Sequence, residues 1–197
     1  RTGIDMGVII SREYNEDPVL KTFLPSTWQT ARRRTILLIY NPGSGEPLET
    51  LAVARYGVGK TFIKAWDKEL HGDQWKRLAE LIEERNPNKI GINYSDTFAL
   101  ADGITHTEYD LFLESLKPAQ REKVISAEEL AVGWLETRSK TEMIIYQQIC
   151  RIAHEILAAG LTDEVIQPGI TTTNDVAWWY RDRIRELKLT AWFHPSV

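Results

Sequence analysis

The chain has 197 residues, enough for one full core or for one domain and part of another. Hydrophobic residues make up 43%, charged residues 26%, and the net charge is −4, a balance that excludes a general nucleic-acid binder resting on a basic excess. The lone cysteine, Cys150, excludes an internal disulfide, and no apolar run approaches the ~20 residues of a membrane span. No signal peptide is visible, but the chain opens at Arg1 rather than Met, which reads as a processed or cut boundary. The compartment is left open, leaning to a soluble cytoplasmic setting.

In chain order, the apolar run Met6 to Ile10 predicts a buried strand. A long polar stretch from Arg12 to Arg34 follows, punctuated by Pro18 and Pro25, and a stretch of that length is functional or holds a short helix. Thr35 to Tyr40 is the clearest strand, and Asn41-Pro42-Gly43-Ser44-Gly45 a turn. Leu48 to Tyr56 and Thr61 to Trp66 read as two strands joined by a hairpin turn at Gly57-Val58-Gly59. His71-Gly72-Asp73 reads as a helix start, with Asp73 as the cap and Trp75, Leu78, Ala79 and Ile82 facing inward. Asn86-Pro87-Asn88 stops that helix, and Lys89 to Asn93 is the next strand. Thr105 and Glu108 suggest a capping box for a helix that turns Tyr109, Phe112, Leu113 and Leu116 inward and ends at Pro118. Lys123 to Ser126 is a short strand. Ser126 with Glu129 suggests a second capping box, opening a helix through Trp134. Strands followed by alternating helix and strand favour an α/β domain with a mixed sheet.

The pattern changes near Thr137. Ser139 and Glu142 form a third capping-box pair ahead of a helix from Thr141 to Ala159. Ile145, Ile149, Ile152 and Ile156 make one stripe, with Tyr146, Cys150, Ala153 and Leu157 beside it, and Gly160 suits the C-terminal cap. After a turn at Pro168-Gly169, Thr172 or Thr173 caps a second helix carrying Val176, Trp179, Tyr180, Ile184 and Leu187. A strand is expected to open in the last residues, Ala191 to Val197. Two amphipathic helices cannot bury their faces alone, so their partner surface is expected elsewhere.

Chemical motifs are sparse. Gly59-Lys60-Thr61 suggests a phosphate loop, but Ala54 stands where the first glycine belongs and a strand, not a helix, follows. A nucleotide-binding α/β module using Gly57 to Thr61 remains an alternative. His154-Glu155 starts a zinc-helix motif whose second histidine is Ala158, and the four histidines nowhere pair at ligand spacing. No G-x-S-x-G elbow occurs. Cys150 is expected as a small buried hydrophobe and His154 as a partly exposed helix residue. Arg32-Arg33-Arg34 precedes the best strand and fits a solvated sheet edge or subunit contact, with anion or carboxylate binding as the functional alternative. Adjacent Trp178 and Trp179 cannot both face inward, since neighbouring helical residues point about 100° apart.

Taken together, the two halves resemble one family. Gly3-Ile4-Asp5-Met6-Gly7-Val8-Ile9-Ile10-Ser11 looks like the first strand of the creatinase-type N-terminal domain. Ile90-Gly91-Ile92-Asn93 with Asp102-Gly103-Ile104-Thr105 resembles a later strand and helix start of that domain. Arg138-Ser139-Lys140-Thr141-Glu142, Ile149 to His154, and Gln167-Pro168-Gly169-Ile170-Thr171-Thr172 resemble the opening of the pita-bread catalytic domain, although Glu142 follows sooner than usual. The resemblance, to creatinase/Xaa-Pro aminopeptidases, covers nearly the whole chain through the order and spacing of these motifs.

The resemblance implies a creatinase-type N-terminal domain over residues 1–136. The start of an incomplete pita-bread α+β domain, its first two helices, would then occupy residues 137–197. It implies a longer metal-dependent aminopeptidase or dipeptidase of Xaa-Pro type, a peptide substrate and a homodimer, with no nucleic acid or membrane partner. Two divalent ions (manganese, cobalt or zinc) would be held by two aspartates, a histidine and two glutamates, a donor set suited to activating a bridging water. Those ligands lie downstream in the family, so no catalytic or metal residue is expected here. Some relatives lack the metals, which makes a metal-free interaction module the alternative. The candidates for lining a substrate channel or subunit interface are Trp28, Arg32, Arg33, Arg34 and His194.

Overall fold

The computed structural model describes residues 2–43 and 45–197, so the boundary reading at Arg1 and the Ser44 position of the expected turn lie outside the described residues. The chain divides into two compact units, Arg1–Thr137 and Arg138–Val197.

The first unit is built on a six-stranded mixed sheet. Its strands are β1 (Met6–Arg12), β2 (Arg34–Tyr40), β3 (Glu49–Val53), β4 (Ile63–Lys64), β5 (Ile90–Ile92) and β6 (Val124–Ser126), in spatial order β4-β3-β2-β1-β5-β6. β1–β2 and β2–β3 are antiparallel, while β1–β5 and β5–β6 are parallel. The helices are α1 (Pro18–Phe23), α2 (Lys68–His71), α3 (Gln74–Arg85), α4 (His106–Ser115), α5 (Pro118–Arg121) and α6 (Glu128–Glu136), with a 3-10 turn at Ala99–Ala101.

Strand alternation sorts the core into two layers. Met6, Val8 and Ile10 of β1, Ile36 and Leu38 of β2, and Val53 of β3 pack against Trp75, Leu78 and Ile82 of α3 and Phe112 of α4. The intervening residues Ile9, Leu37 and Ala52 pack with Val19 and Leu20 of α1 and Ala131 of α6. Both faces of the sheet are therefore covered, as the continuous apolar runs of β1 and β2 require. Gly91 of β5 faces the second layer, where a Cβ would meet Ile4 Cγ2 at 3.0 Å and Ala127 Cβ at 3.1 Å.

Four local expectations are corrected in this unit. β3 and β4 do not form a hairpin but pair in parallel, Leu51 opposite Ile63. The reversal is a tighter loop at Gly59–Thr61, closed by the Val58–Phe62 bridge, and Phe62 is drawn into the core. Pro118 does not merely end α4; it occupies the first turn of α5, where its missing N–H costs nothing. Ser126 and Glu129 form no capping box, because the Ser126 hydroxyl donates to Tyr94 O and accepts from Glu128 N. Thr105 caps α4, accepting from Glu108 N at 3.4 Å, but the Glu108 carboxylate does not return to it.

The second unit holds α7 (Lys140–Gly160) and α8 (Thr173–Glu186). Ser139–Glu142 and Thr172–Asp175 are complete capping boxes. Ile156, Val176 and Tyr180 form its small core, with Ile152, Ile166, Trp179 and Ile184 packed around them. Trp178 is exposed and Arg181 lies 4.6 Å over its ring, while Trp179 is half-buried, as neighbours on one helix must differ. Three expectations fail here. Cys150 is exposed rather than buried, because the stripe beside it is uncovered. Gly160 supplies no left-handed cap; it is the last residue of α7 and lets Tyr180 approach, since a Cβ would lie 2.3 Å from that ring. No strand forms among residues 191–197.

Candidate functional site

The most distinctive surface feature of the first unit starts from strand register. Arg12 ends β1, Arg34 begins β2, and the two are direct cross-strand partners. Both continue the apolar face that carries Ile10 and Ile36, so both side chains project toward α3 and α4. Arg55 follows Val53 by two residues at the same end of the sheet. These arginines, with Arg33, line one cleft of about 690 Å3 together with Glu13, Tyr14, Trp66, Gln74, Thr107, Glu108 and Leu111.

Glu108 organises the floor. Its side chain is 1% exposed, and Arg34 grips it with Nε to Oε2 at 2.7 Å and Nη2 to Oε1 at 3.2 Å. A buried carboxylate requires such a partner, and the two-pronged guanidinium contact supplies both charge and direction. Arg34 is held from its other side by the Trp75 ring, 4.7 Å from the guanidinium carbon. Gln74 fixes the strands beneath, its Nε2 donating to Arg34 O at 3.1 Å and to Val53 O at 2.5 Å. Arg12 Nε stands 3.7 Å from Glu108, and Arg33 Nε 3.9 Å from Glu13. Four guanidinium groups thus face two carboxylates, and the cleft carries an excess of positive charge inside a net acidic chain.

The three consecutive arginines have separate surroundings. Arg32 stacks over Trp28 at 5.0 Å and over Tyr56 at 5.4 Å, on the surface. Arg33 is exposed, and Arg34, partly exposed, pairs with the buried carboxylate of Glu108. His194 belongs to the second unit, exposed in a hollow with Arg181, Arg185 and Trp192. Arg12, Arg55, Gln74 and Glu108 escaped sequence reasoning. For Arg12 and Arg55 a signal was present, since Ile10-Ser11-Arg12 and Val53-Ala54-Arg55 each place an arginine two residues from a core position.

Neither phosphate-loop nor metal-centre chemistry finds its parts among the described residues. Gly59-Lys60-Thr61 leads into a bridge and β4 where a phosphate loop needs a helix N-terminus. No three of His, Cys, Asp and Glu gather in a way that could hold a metal ion. His71 Nδ1 is engaged at the backbone of Asp67, His106 pairs with Asp110 at 3.2 Å, and His154 is exposed on α7. The residues present therefore do not fit a dinuclear site, which needs several convergent carboxylates and an imidazole. No described helix is long and apolar enough to cross a membrane.

No protein-family model matches the chain, and no curated protein matches it. Solved structures do. An Xaa-Pro dipeptidase from Bacillus anthracis is 18% identical with a TM-score of 0.50, over 92% of this chain and 45% of its own. An X-Pro aminopeptidase from Thermotoga maritima MSB8 is 15% identical with a TM-score of 0.56, over 93% of this chain and 47% of its own. The fold is one shared with Xaa-Pro peptidases, in agreement with the expected α/β creatinase-type architecture. The chain spans a little under half the length of these structures.

Proposed function

We propose that this chain is the N-terminal part of a creatinase/pita-bread-type metallopeptidase that removes an N-terminal residue ahead of proline. In this reading the chain shapes substrate access and dimer contacts, with Trp28, Arg32, Arg33, Arg34 and His194 as the lining candidates. Two divalent ions are held by residues outside those described, and no chemical step runs through this chain's own side chains. The observation that carries the reading is the shared fold, which extends over more than nine-tenths of this chain yet less than half of each Xaa-Pro peptidase. The uncovered apolar stripe of α7 supports it, because a helix of this kind is stable when a sheet or helix layer covers it.

The test uses the longer polypeptide that contains this chain, loaded with manganese, cobalt or zinc and offered Xaa-Pro dipeptides and longer Xaa-Pro-starting peptides. Release of the N-terminal residue is expected, lost on chelation and restored by metal, with a dimer in sedimentation; the 197-residue chain alone releases nothing. Downstream sequence without the aspartate, histidine and glutamate set, or a metal-loaded protein with no turnover, overturns the peptidase reading and leaves a binding module.

A further inference from the structure

The arginine cleft of the first unit has more donors than its own carboxylates use. Arg34 gives one Nε and one Nη2 hydrogen bond to Glu108. Among the described residues, however, the guanidinium groups of Arg12, Arg33 and Arg55 donate no hydrogen bond. Arg12 and Arg33 stand 3.7 and 3.9 Å from their carboxylates, beyond bonding range, and Arg55 has no ion-pair partner among them. Each guanidinium offers N–H groups in a fixed planar fork matched to carboxylate and phosphate oxygens. We propose that this cleft, lined by Arg12, Arg33, Arg34 and Arg55, binds a compact dianion, either a phosphate group or a small dicarboxylate.

Three further observations converge on the cleft. First, its charge is local, since the chain as a whole is at −4 while four arginines meet only Glu13 and Glu108 here. Two added negative charges neutralise it. Second, two of its lining residues, Tyr14 (φ 68°) and Arg33 (φ 59°), hold left-handed backbone that costs a side-chain-bearing residue energy. Arg33 is kept there by a pair of bonds to one residue, Glu13 N donating to Arg33 O at 2.7 Å and Arg33 N to Glu13 Oε2 at 3.3 Å. The strained residue is thus an arginine at the mouth where glycine is the relaxed choice. Third, Thr107 and Glu108 bring the first turn of the ten-residue helix α4 to the wall, adding its positive dipole end. A volume of about 690 Å3 holds a phosphate-bearing or dicarboxylate molecule with room for water. The inference stands on this unit alone and does not depend on peptidase chemistry.

The experiment titrates the 197-residue chain with inorganic phosphate, with succinate, and with chloride at matched ionic strength. Binding is followed by calorimetry and by the arginine Nε–Hε signals in NMR. Saturable one-site binding of phosphate or succinate, absent with chloride, is expected, and which of the two binds tells the phosphate source from the dicarboxylate source. Arg55→Gln, which breaks no hydrogen bond or ion pair among the described residues, weakens binding by roughly ten-fold, the scale of one charge-assisted contact. Arg33→Gly weakens it comparably while leaving Tm no lower than the parent's, because glycine relaxes φ. A response to chloride equal to that of the dianions overturns the proposal, as does unchanged affinity in both variants.

Discussion

At the scale of single residues, the polar side chains that matter most are fixed by partners distant in sequence. Asp17 directly precedes Pro18, a helix-start pattern, and its Oδ1 accepts from Val19 N at 2.7 Å and Leu20 N at 3.1 Å. That much is legible locally. Its burial is not, because Asn93, whose Nδ2 donates to Oδ2 at 2.9 Å, lies 76 residues away. Gly103 closes the site, and any Cβ there would fall 2.0 Å from the same oxygen. Burial raises the Asp17 carboxyl above its ordinary 3.8, against the hydrogen bonds from Asn93, Leu20 and Val19 that lower it. The native state therefore holds the proton more tightly than the unfolded chain. Its contribution to stability is greatest below the unfolded value and falls as pH rises through the raised native one, opposite to a salt-bridged carboxylate. Asp17→Asn removes this titration, so its unfolding free energy, from urea melts between about pH 4 and 7, declines less with pH than the parent's. Parallel profiles would show that Asp17 titrates alike in both states. The arginine cleft teaches the same lesson. Arg34 was legible as a residue beside a strand, but its partner Glu108 reads from sequence as a cap and turns out to be an ion-pair floor.

At the scale of elements, local signals hold where nothing distant competes. Ser139–Glu142 and Thr172–Asp175 sit at exposed helix starts and form complete boxes, with hydrogen bonds from Ser139 and from Thr172 holding the Glu142 and Asp175 carboxyls below their usual range. Thr105–Glu108 and Ser126–Glu129 match the same pattern, yet Arg34 and Tyr94 O provide other partners. The β3–β4 segment misled for a related reason. A glycine-bounded turn predicts reversal, but the tight loop at Gly59–Thr61 spends that reversal before β4, which then runs parallel to β3. Gly160 allows magnitudes to decide between two readings. As a helix residue, Gly160→Ala should stabilise by about 1 kcal/mol through propensity. Its Cβ, however, would lie 2.3 Å from Tyr180 Cε1 and 2.6 Å from the hydroxyl oxygen, which donates to Leu157 O at 3.0 Å. Overpacking of this kind costs about 1–3 kcal/mol, and more where a hydrogen bond is lost with it. The substitution is thus expected to lower the midpoint of helix melting by circular dichroism and to alter the Trp179 near-ultraviolet signal, since that ring packs edge-on to Tyr180. A raised midpoint would mean that α7 and α8 are not locked at this crossing.

At the scale of the whole molecule, the two units differ in how completely they bury their apolar faces. The mixed sheet of the first unit is covered on both sides, and this architecture was legible because strand and helix periods alternate cleanly along residues 1–137. In the second unit the stripe on α7 was equally legible, but only Ile156 of its four isoleucines is buried. Ile145 remains 56% exposed and Ile149 47%. An amphipathic pattern states that a face prefers cover and says nothing about which residues supply it, so covering partners outside the described residues could not be read from the pattern. The proposed function assigns that cover to the remainder of a pita-bread domain, and a pair of substitutions separates the two situations. In the 197-residue chain, Ile145→Glu with Ile149→Glu replaces exposed apolar surface and should change the unfolding free energy by less than about 1 kcal/mol, while reducing binding of a hydrophobic dye. On that assignment the same positions are core in the longer polypeptide, and each buried carboxylate without a partner should cost about 3 kcal/mol or more, enough to prevent soluble folding. Equal tolerance in both contexts would mean that the α7 face stays uncovered, and the assignment of this unit to a pita-bread domain would fail with it.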